Sequence, residues 1–162
     1  MKAQRNRTWH EVLRQLPYGL YAVGVRGANG DMNGFVASWV TQCSFDPPLL
    51  MVAIRTDSSS FEMLKRGKVF SLNLLDKKEK DLARLLVKPR HRVGDKLGKI
   101  AHIGEDTGAP ILRRAFAYVE CRVRSIYAPG DHALVVGEVV NVGRHCAGQS
   151  MTCADMRWHY AG

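Results

Sequence analysis

The chain has 162 residues, 46% of them hydrophobic, with basic side chains exceeding acidic ones by nine. That is enough sequence for one hydrophobic core, too little for two comfortable ones, and too apolar for a disordered chain. No window reaches the length of a membrane helix, the basic start MKAQRNRTWHEVLRQL has no apolar signal core, and the four cysteines show no CxxC spacing. These features argue against a membrane span or a zinc module and predict a soluble, cytoplasmic chain with reduced thiols.

Thr8 and Glu11 stand at capping-box spacing and predict a short helix that ends at Pro17. LYAVGVRG predicts a strand, and Asn29-Gly30 a two-residue turn. One strand over 34–45 then pairs antiparallel with the first. The apolar run LLMVAI at 49–54 predicts a strand buried on both faces. Ser59 and Glu62 suggest a second capping box, with Gly67 as the helix stop. KVFSLNLL reads as a strand, and KKEKDLARLLV as a helix with Leu82, Leu85 and Leu86 inward. Residues 88–110 form a long excursion, whose KPRHR start reads as a solvated loop. In AFAYVECRVRSIY, Ala117, Val119, Cys121 and Val123 alternate with Glu120, Arg122 and Arg124, the mark of a half-exposed strand. APGD turns the chain into a buried strand, ALVVGEVVNVG. At least six mostly antiparallel strands and few helices predict a mainly β fold, a small closed or split barrel. Residues 1–162 are expected to form a single domain.

The stretch GFVASWVTQCSFDPP is too polar for a strand that faces only core. Val36 and Val40 share the even positions with Ser38, Gln42 and Ser44. Unpaired buried polar groups cost about 1–3 kcal/mol each. A flat ligand with apolar faces and a hydrogen-bonding rim satisfies both kinds of residue. The alternative is the ordinary outward face of an edge strand. RTDSSS then leads into a helix, which offers amides and hydroxyls to an anion beside Arg55. Capping accounts for one or two of Asp57, Ser58, Ser59 and Ser60. His145, Cys146, Cys153 and His159 match no metal-ligand spacing, so no metal is expected. There is no Ser-His-Asp set and no GxGxxG after a strand.

Three motifs together resemble one family: NGFVASWVTQCSFDPPLLMVAI, RTDSSSFEMLKRGKVFSLNLL and YVECRVRSIYAPGDHALVVGEVV. In this order and spacing the chain resembles the flavin reductase-like domain, the FMN-binding split barrel. The wording is closest to the branch fused to rubredoxin or diiron flavoprotein modules. The resemblance implies that Val36, Ala37, Ser38 and Trp39 line the isoalloxazine, partly through backbone atoms. It implies that Thr41, Gln42 and Ser44 reach ring-edge, ribityl or phosphate oxygens, and that Ser58, Ser59 and Ser60 form the phosphate loop. His132 matches the histidine near flavin and nicotinamide and is the candidate catalytic residue; Asp131 shapes the turn. Common reductases of the family carry Asn-Ser where this chain has Ser38-Trp39, which bears on nicotinamide access. Most members pair as homodimers with the flavin near the interface.

The activity implied is NAD(P)H-dependent reduction of FMN, or of FAD, by hydride transfer to the flavin, for a partner oxygenase. A second reading is an electron-transfer flavoprotein that holds FMN and passes electrons to a redox partner. A third, a nucleic-acid-binding module, rests on the charge alone and ranks last, because basic and aromatic residues are not interleaved along one face.

Overall fold

The computed structural model describes residues 2–100 and 102–159. Helix α1 spans Lys2–Leu13 and is followed by strands β1 (Tyr21–Arg26), β2 (Met32–Ala37), β3 (Val40–Ser44) and β4 (Leu49–Arg55). Helix α2 (Ser59–Gly67) leads to β5 (Val69–Leu74), and then come α3 (Lys80–Leu86), α4 (Arg90–Val93), β6 (His102–Ile103) and β7 (Ile111–Leu112). Two long strands, β8 (Ala117–Tyr127) and β9 (His132–Arg144), precede the short helix α5 (Cys153–Met156). Seven strands form one sheet in the order β2-β1-β5-β8-β9-β4-β3, and every pairing is antiparallel. The two end strands, β2 and β3, are consecutive in the chain, with only Ser38 and Trp39 between them. The sheet therefore curls until its ends meet, as a split barrel.

Alternation along the strands fills that barrel. Val23, Val25, Val52, Ile54, Phe70, Leu72, Cys121, Ala133 and Val135 point inward, and Phe61 and Leu64 of α2 pack with them. A second apolar cluster joins Leu20 and Ala22 to Leu82 and Leu86 of α3, to Leu97 and Leu112, and to Met151 near the C-terminus. β1 is thus packed on both faces. Among the described residues no helix is long and apolar enough to cross a membrane.

Polar side chains hold the excursion to the sheet. Ser71 Oγ donates to the Pro110 carbonyl at 2.6 Å, and the Leu112 amide donates to Asn73 Oδ1 at 2.8 Å. Glu120 is fully buried; it accepts from the amides of Asp106 and Thr107, from the Thr107 hydroxyl and from Asn141 Nδ2. Lys96 is also buried, and its Nζ donates to the carbonyls of Leu86 at 2.8 Å and Lys88 at 3.0 Å, near the C-terminal end of α3.

Several expectations are corrected. Thr8 lies inside α1, so it does not open the helix. The 34–45 strand is two strands, and β3 pairs with β4, not β1. Asn29-Gly30 belongs to a longer loop: Gly27 donates to the Asp31 carbonyl and Gly30 to the Gly27 carbonyl, with Gly30 at φ +89°. This is a type I turn with a glycine in the left-handed position. Leu49, Leu50 and Met51 are half-buried, so β4 is enclosed only towards its C-terminal end. The cap of α2 is Ser58, one residue before the expected Ser59, and the left-handed residue at its end is Lys68. Gly67 instead lets the helix lie against the Arg26 carbonyl, which a Cβ would meet at 1.7 Å. Of the predicted inward leucines, Leu85 is only half-buried, and Ala83 is buried with Leu82 and Leu86. The excursion holds α4, a 3-10 turn at Leu97–Lys99 and β6. β8 keeps the expected alternation as far as Val123, with Val119 and Cys121 facing the barrel, and its own extra residue comes only after Val123. Glu120 lies on the opposite face beside Ser71 but is buried there, because the excursion covers that face. β9 is largely half-buried.

Burial, with the Arg90 charge nearby, pushes the Lys96 ammonium down to about 8. An unfolded lysine titrates near 10.4, so between about pH 8 and 10.4 the unfolded chain binds more protons. Lys96 therefore adds stability as pH rises through that window, by at most about 3 kcal/mol. Urea midpoints should rise from pH 8 to pH 10 in the wild type relative to Lys96→Met; parallel profiles would refute this.

Candidate functional site

The site begins at the break between the sheet's two ends. On β2, Phe35 and Ala37 face the barrel core; on β3, Val40 does. The inward positions switch from odd to even across Ser38 and Trp39. Val40 donates to the Ser38 carbonyl at 3.2 Å, and Ala53 to the Trp39 carbonyl at 2.9 Å. Thr41 is paired with Met51, and Val40 with Val52. Because Val52 is inward, Trp39 and Thr41 lie on the outer face. There Trp39 packs on the His132 ring at 4.7 Å between centroids, tilted 46°, and on Tyr18 at 6.3 Å. His132 opens β9 directly opposite Arg55 of β4. Its Nδ1 is 2.8 Å from Asp131 Oδ1. That hydrogen bond, reinforced by the imidazole's charge when protonated, holds the Asp131 carboxyl below the usual carboxylate range. Thr56 binds the Asp131 carbonyl through amide (2.9 Å) and hydroxyl (3.0 Å), fastening the β8–β9 turn to the segment before α2.

Arg55 and Asp57 make a two-pronged pair, at 3.0 and 2.5 Å. The guanidinium holds the Asp57 carboxyl below its ordinary range. The serines that follow divide their duties. Ser58 Oγ donates to the Arg55 carbonyl at 2.8 Å and accepts from the Phe61 amide at 3.2 Å, so it is committed as the helix cap. Ser60 is buried, and its Oγ accepts from Asn33 Nδ2 at 2.9 Å. Ser59 is exposed. The amides of Ser59 and Ser60 head the helix with no acceptor among the described residues.

The predicted ligand-lining residues do not share one face. Val36 packs on the second cluster and Ala37 is buried in the barrel. Ser38 lies near Cys153, whose thiol donates to the Gly19 carbonyl at 3.8 Å and is pushed upward by burial. Thr41 and Gln42 are exposed on the edge strand β3; the Thr41 hydroxyl donates to the Gln42 carbonyl at 3.1 Å, and Gln42 Nε2 to the Ser44 carbonyl at 3.2 Å. Local pattern missed a cavity of about 500 Å³ lined by Arg14, Leu16, Tyr18, Cys153, Trp158 and His159, which Tyr18 joins to Trp39. Its walls come from opposite ends of the chain, so no motif could have signalled it. Among the described residues no group of three His, Cys, Asp or Glu could hold a metal ion.

The arrangement suits a flat molecule with an anionic tail. The Trp39 and His132 rings offer aromatic surface, and the first amides of α2 with Arg55 offer donors one strand-end away. The donor set thus fits a flavin phosphate, and the ring pair fits its heterocycle.

Fold and site define an antiparallel split barrel with an aromatic shelf beside a helix N-terminus. The chain belongs to the flavin reductase like domain family, whose profile matches residues 13–161. It is 27% identical over 156 residues to an NADH-dependent FMN reductase from Rhizobium rhizogenes, covering 96% of this chain and 89% of that one. The solved structure of the NADH:FAD oxidoreductase of Streptomyces globisporus superposes with a TM-score of 0.83 at 27% identity, over 98% of this chain and 92% of that one. The diflavin flavoprotein A 4 of Synechocystis is 33% identical over 139 residues, covering 85% of this chain. This chain spans only 23% of that relative's length, as it spans 40% of a Rhizobium meliloti flavin reductase.

Ser58→Ala should cost about 1 kcal/mol of stability by removing the cap, whereas Ser59→Ala should stay within about 0.5 kcal/mol. Thermal or urea unfolding of both variants checks this division; equal losses would contradict it.

Proposed function

We propose that the protein is an NAD(P)H:flavin oxidoreductase working on FMN or FAD. The observation that carries this is the Trp39–His132 shelf adjoining Arg55 and the free amides of α2, in a chain that matches the family over residues 13–161. Hydride transfer from nicotinamide to flavin is the chemistry that the bound pair supplies. The protein's part is placement. Trp39 gives the heterocycle an apolar surface, and the edge with exposed Thr41 and Gln42 and half-buried Ser44 offers hydrogen bonds at its rim. Ser59, the Ser59 and Ser60 amides and Arg55 hold the phosphate. Asp131 fixes the orientation of the His132 ring, so that the imidazole meets the nicotinamide at a set angle. The cavity beside Tyr18 and Trp158 gives the second planar ring room to enter.

The outer face around the shelf is apolar. Val52, Ile54, Ala133 and Val135 point into the barrel, so their alternates Met51, Ala53, Leu134 and Val136 point out. A second copy of the chain covering this face would shield the ring from water, in keeping with the expected homodimer. The electron acceptor would be an oxygenase component or a redox protein. The electron-transfer reading stays second, favoured by Trp39 lying against His132 and by the likeness to a diflavin flavoprotein.

Purified protein with added FMN should oxidise NADH steadily in air, where oxygen reoxidises the reduced flavin; tightly bound yellow cofactor with negligible NADH turnover would select the electron-transfer reading instead. Ser59→Asp places a carboxylate in the phosphate seat and should weaken flavin affinity about tenfold or more, seen by fluorescence titration. Unchanged affinity would move the seat elsewhere.

A further inference from the structure

We infer that the cleft between the β1–β2 loop and α2 receives an adenosine 5′-phosphate unit. This rests on the flavin reading above and extends it past the phosphate seat. The cleft measures about 350 Å³ and is lined by Gly27, Asn29, Asp31, Ser59, Met63 and Arg66, among others. It starts at Ser59, the exposed serine of the triplet, so a second phosphate passing Ser59 leads into it.

The walls differ in chemistry. On the loop side, Asn29 Nδ2 donates to Asp31 Oδ2 at 2.9 Å, so a carboxamide and a carboxylate stand together. On the helix side are the Met63 thioether and the Arg66 guanidinium; the neighbouring Glu62 is engaged by Lys65 at 2.7 Å. Gly27 is the floor. A Cβ there would stand 3.1 Å from both Met63 Cγ and Asn29 Oδ1 and would intrude into the space between the walls. A bare inorganic anion is a poor occupant, because the Asp31 carboxylate would repel it. A nucleoside phosphate uses every wall. Its ribose hydroxyls donate to a carboxylate, and its base edge pairs with a carboxamide. Its base face lies on sulfur and guanidinium, and its phosphate remains at Ser59.

FMN lacks this unit, whereas FAD and the nicotinamide dinucleotides carry it. The test titrates FMN and FAD into the flavin-free full chain and measures the KM for NADH, for the wild type, Asp31→Ala and Arg66→Ala. These two variants lie on opposite walls, and circular dichroism confirms their folding. The FMN Kd should stay within about twofold in both variants. Either the FAD Kd or the KM for NADH should rise about tenfold. A rise for FAD assigns the unit to the flavin, and a rise for NADH assigns it to the hydride donor; both support the cleft. FAD and NADH constants that do not move in either variant, or an FMN Kd that weakens as much as that of FAD, would overturn it. If the wild type itself binds neither flavin, the flavin reading fails and this inference fails with it.

Discussion

Strands β2 and β3 stand at opposite ends of a seven-stranded sheet, yet only Ser38 and Trp39 connect them. A flat sheet of that order would hold its ends more than 25 Å apart at the usual spacing of about 4.8 Å per strand. With two residues between them, the strand ends can stand at most about 11 Å apart. The connection therefore forces curvature, and curvature creates an interior that Phe70, Leu64 and the valines of β1 fill. It also reverses which positions face inward, and so brings Trp39 onto the outer surface beside His132, 93 positions away in the sequence. Closure and site are consequences of one short connection.

The second cluster and the strap over it answer a different demand. Closing a barrel this small leaves β1 and its neighbours with apolar residues on their outer face, and α3 and the excursion cover them. An irregular segment laid over a sheet brings backbone groups that need partners. Ser71, Asn73 and Glu120 supply them from the sheet, and Lys96 supplies two donated hydrogen bonds near the end of α3. Burying a carboxylate without a cation beside it is costly, but four donors converge on Glu120, which satisfies the charge. The neighbouring Cys121 thiol, pushed up to about 12 mainly by burial, with the Glu120 charge adding to it, stays protonated and inert.

Around α2 one short segment caps a helix, ties it to β2 and keeps donors open to solvent. Ser58 closes the helix, Ser60 locks it to β2 through Asn33, and Ser59 is left exposed between them. The structural roles of the outer two serines hold the middle one, and the first amides of the helix, in place. Rigid support of this kind is what a binding group on a helix terminus requires.

Much of this was legible in the chain itself. The strands at 21–26, 69–74, 117–127 and 132–144 follow from β-branched residues and alternation, which are local properties of the backbone and its neighbours. So are the anion-friendly RTDSSS turn and the three motifs of the family. What escaped were relations between distant residues. The break at Ser38-Trp39 looked like continuous strand, because every residue in 34–45 tolerates extended backbone; only the competing partners β1 and β4 divide it. Glu120 read as an exposed residue, since alternation gives its face but cannot foresee that the excursion covers that face and brings the donors of Asp106 and Thr107 to it. The cavity between Tyr18 and Trp158 joins two chain ends that no local pattern relates. Sequence alone determined which segments would be strands and which residue types could meet an anion or a ring. Tertiary structure decided which of them stand together, because side-chain direction past a bend depends on the partner each strand finds.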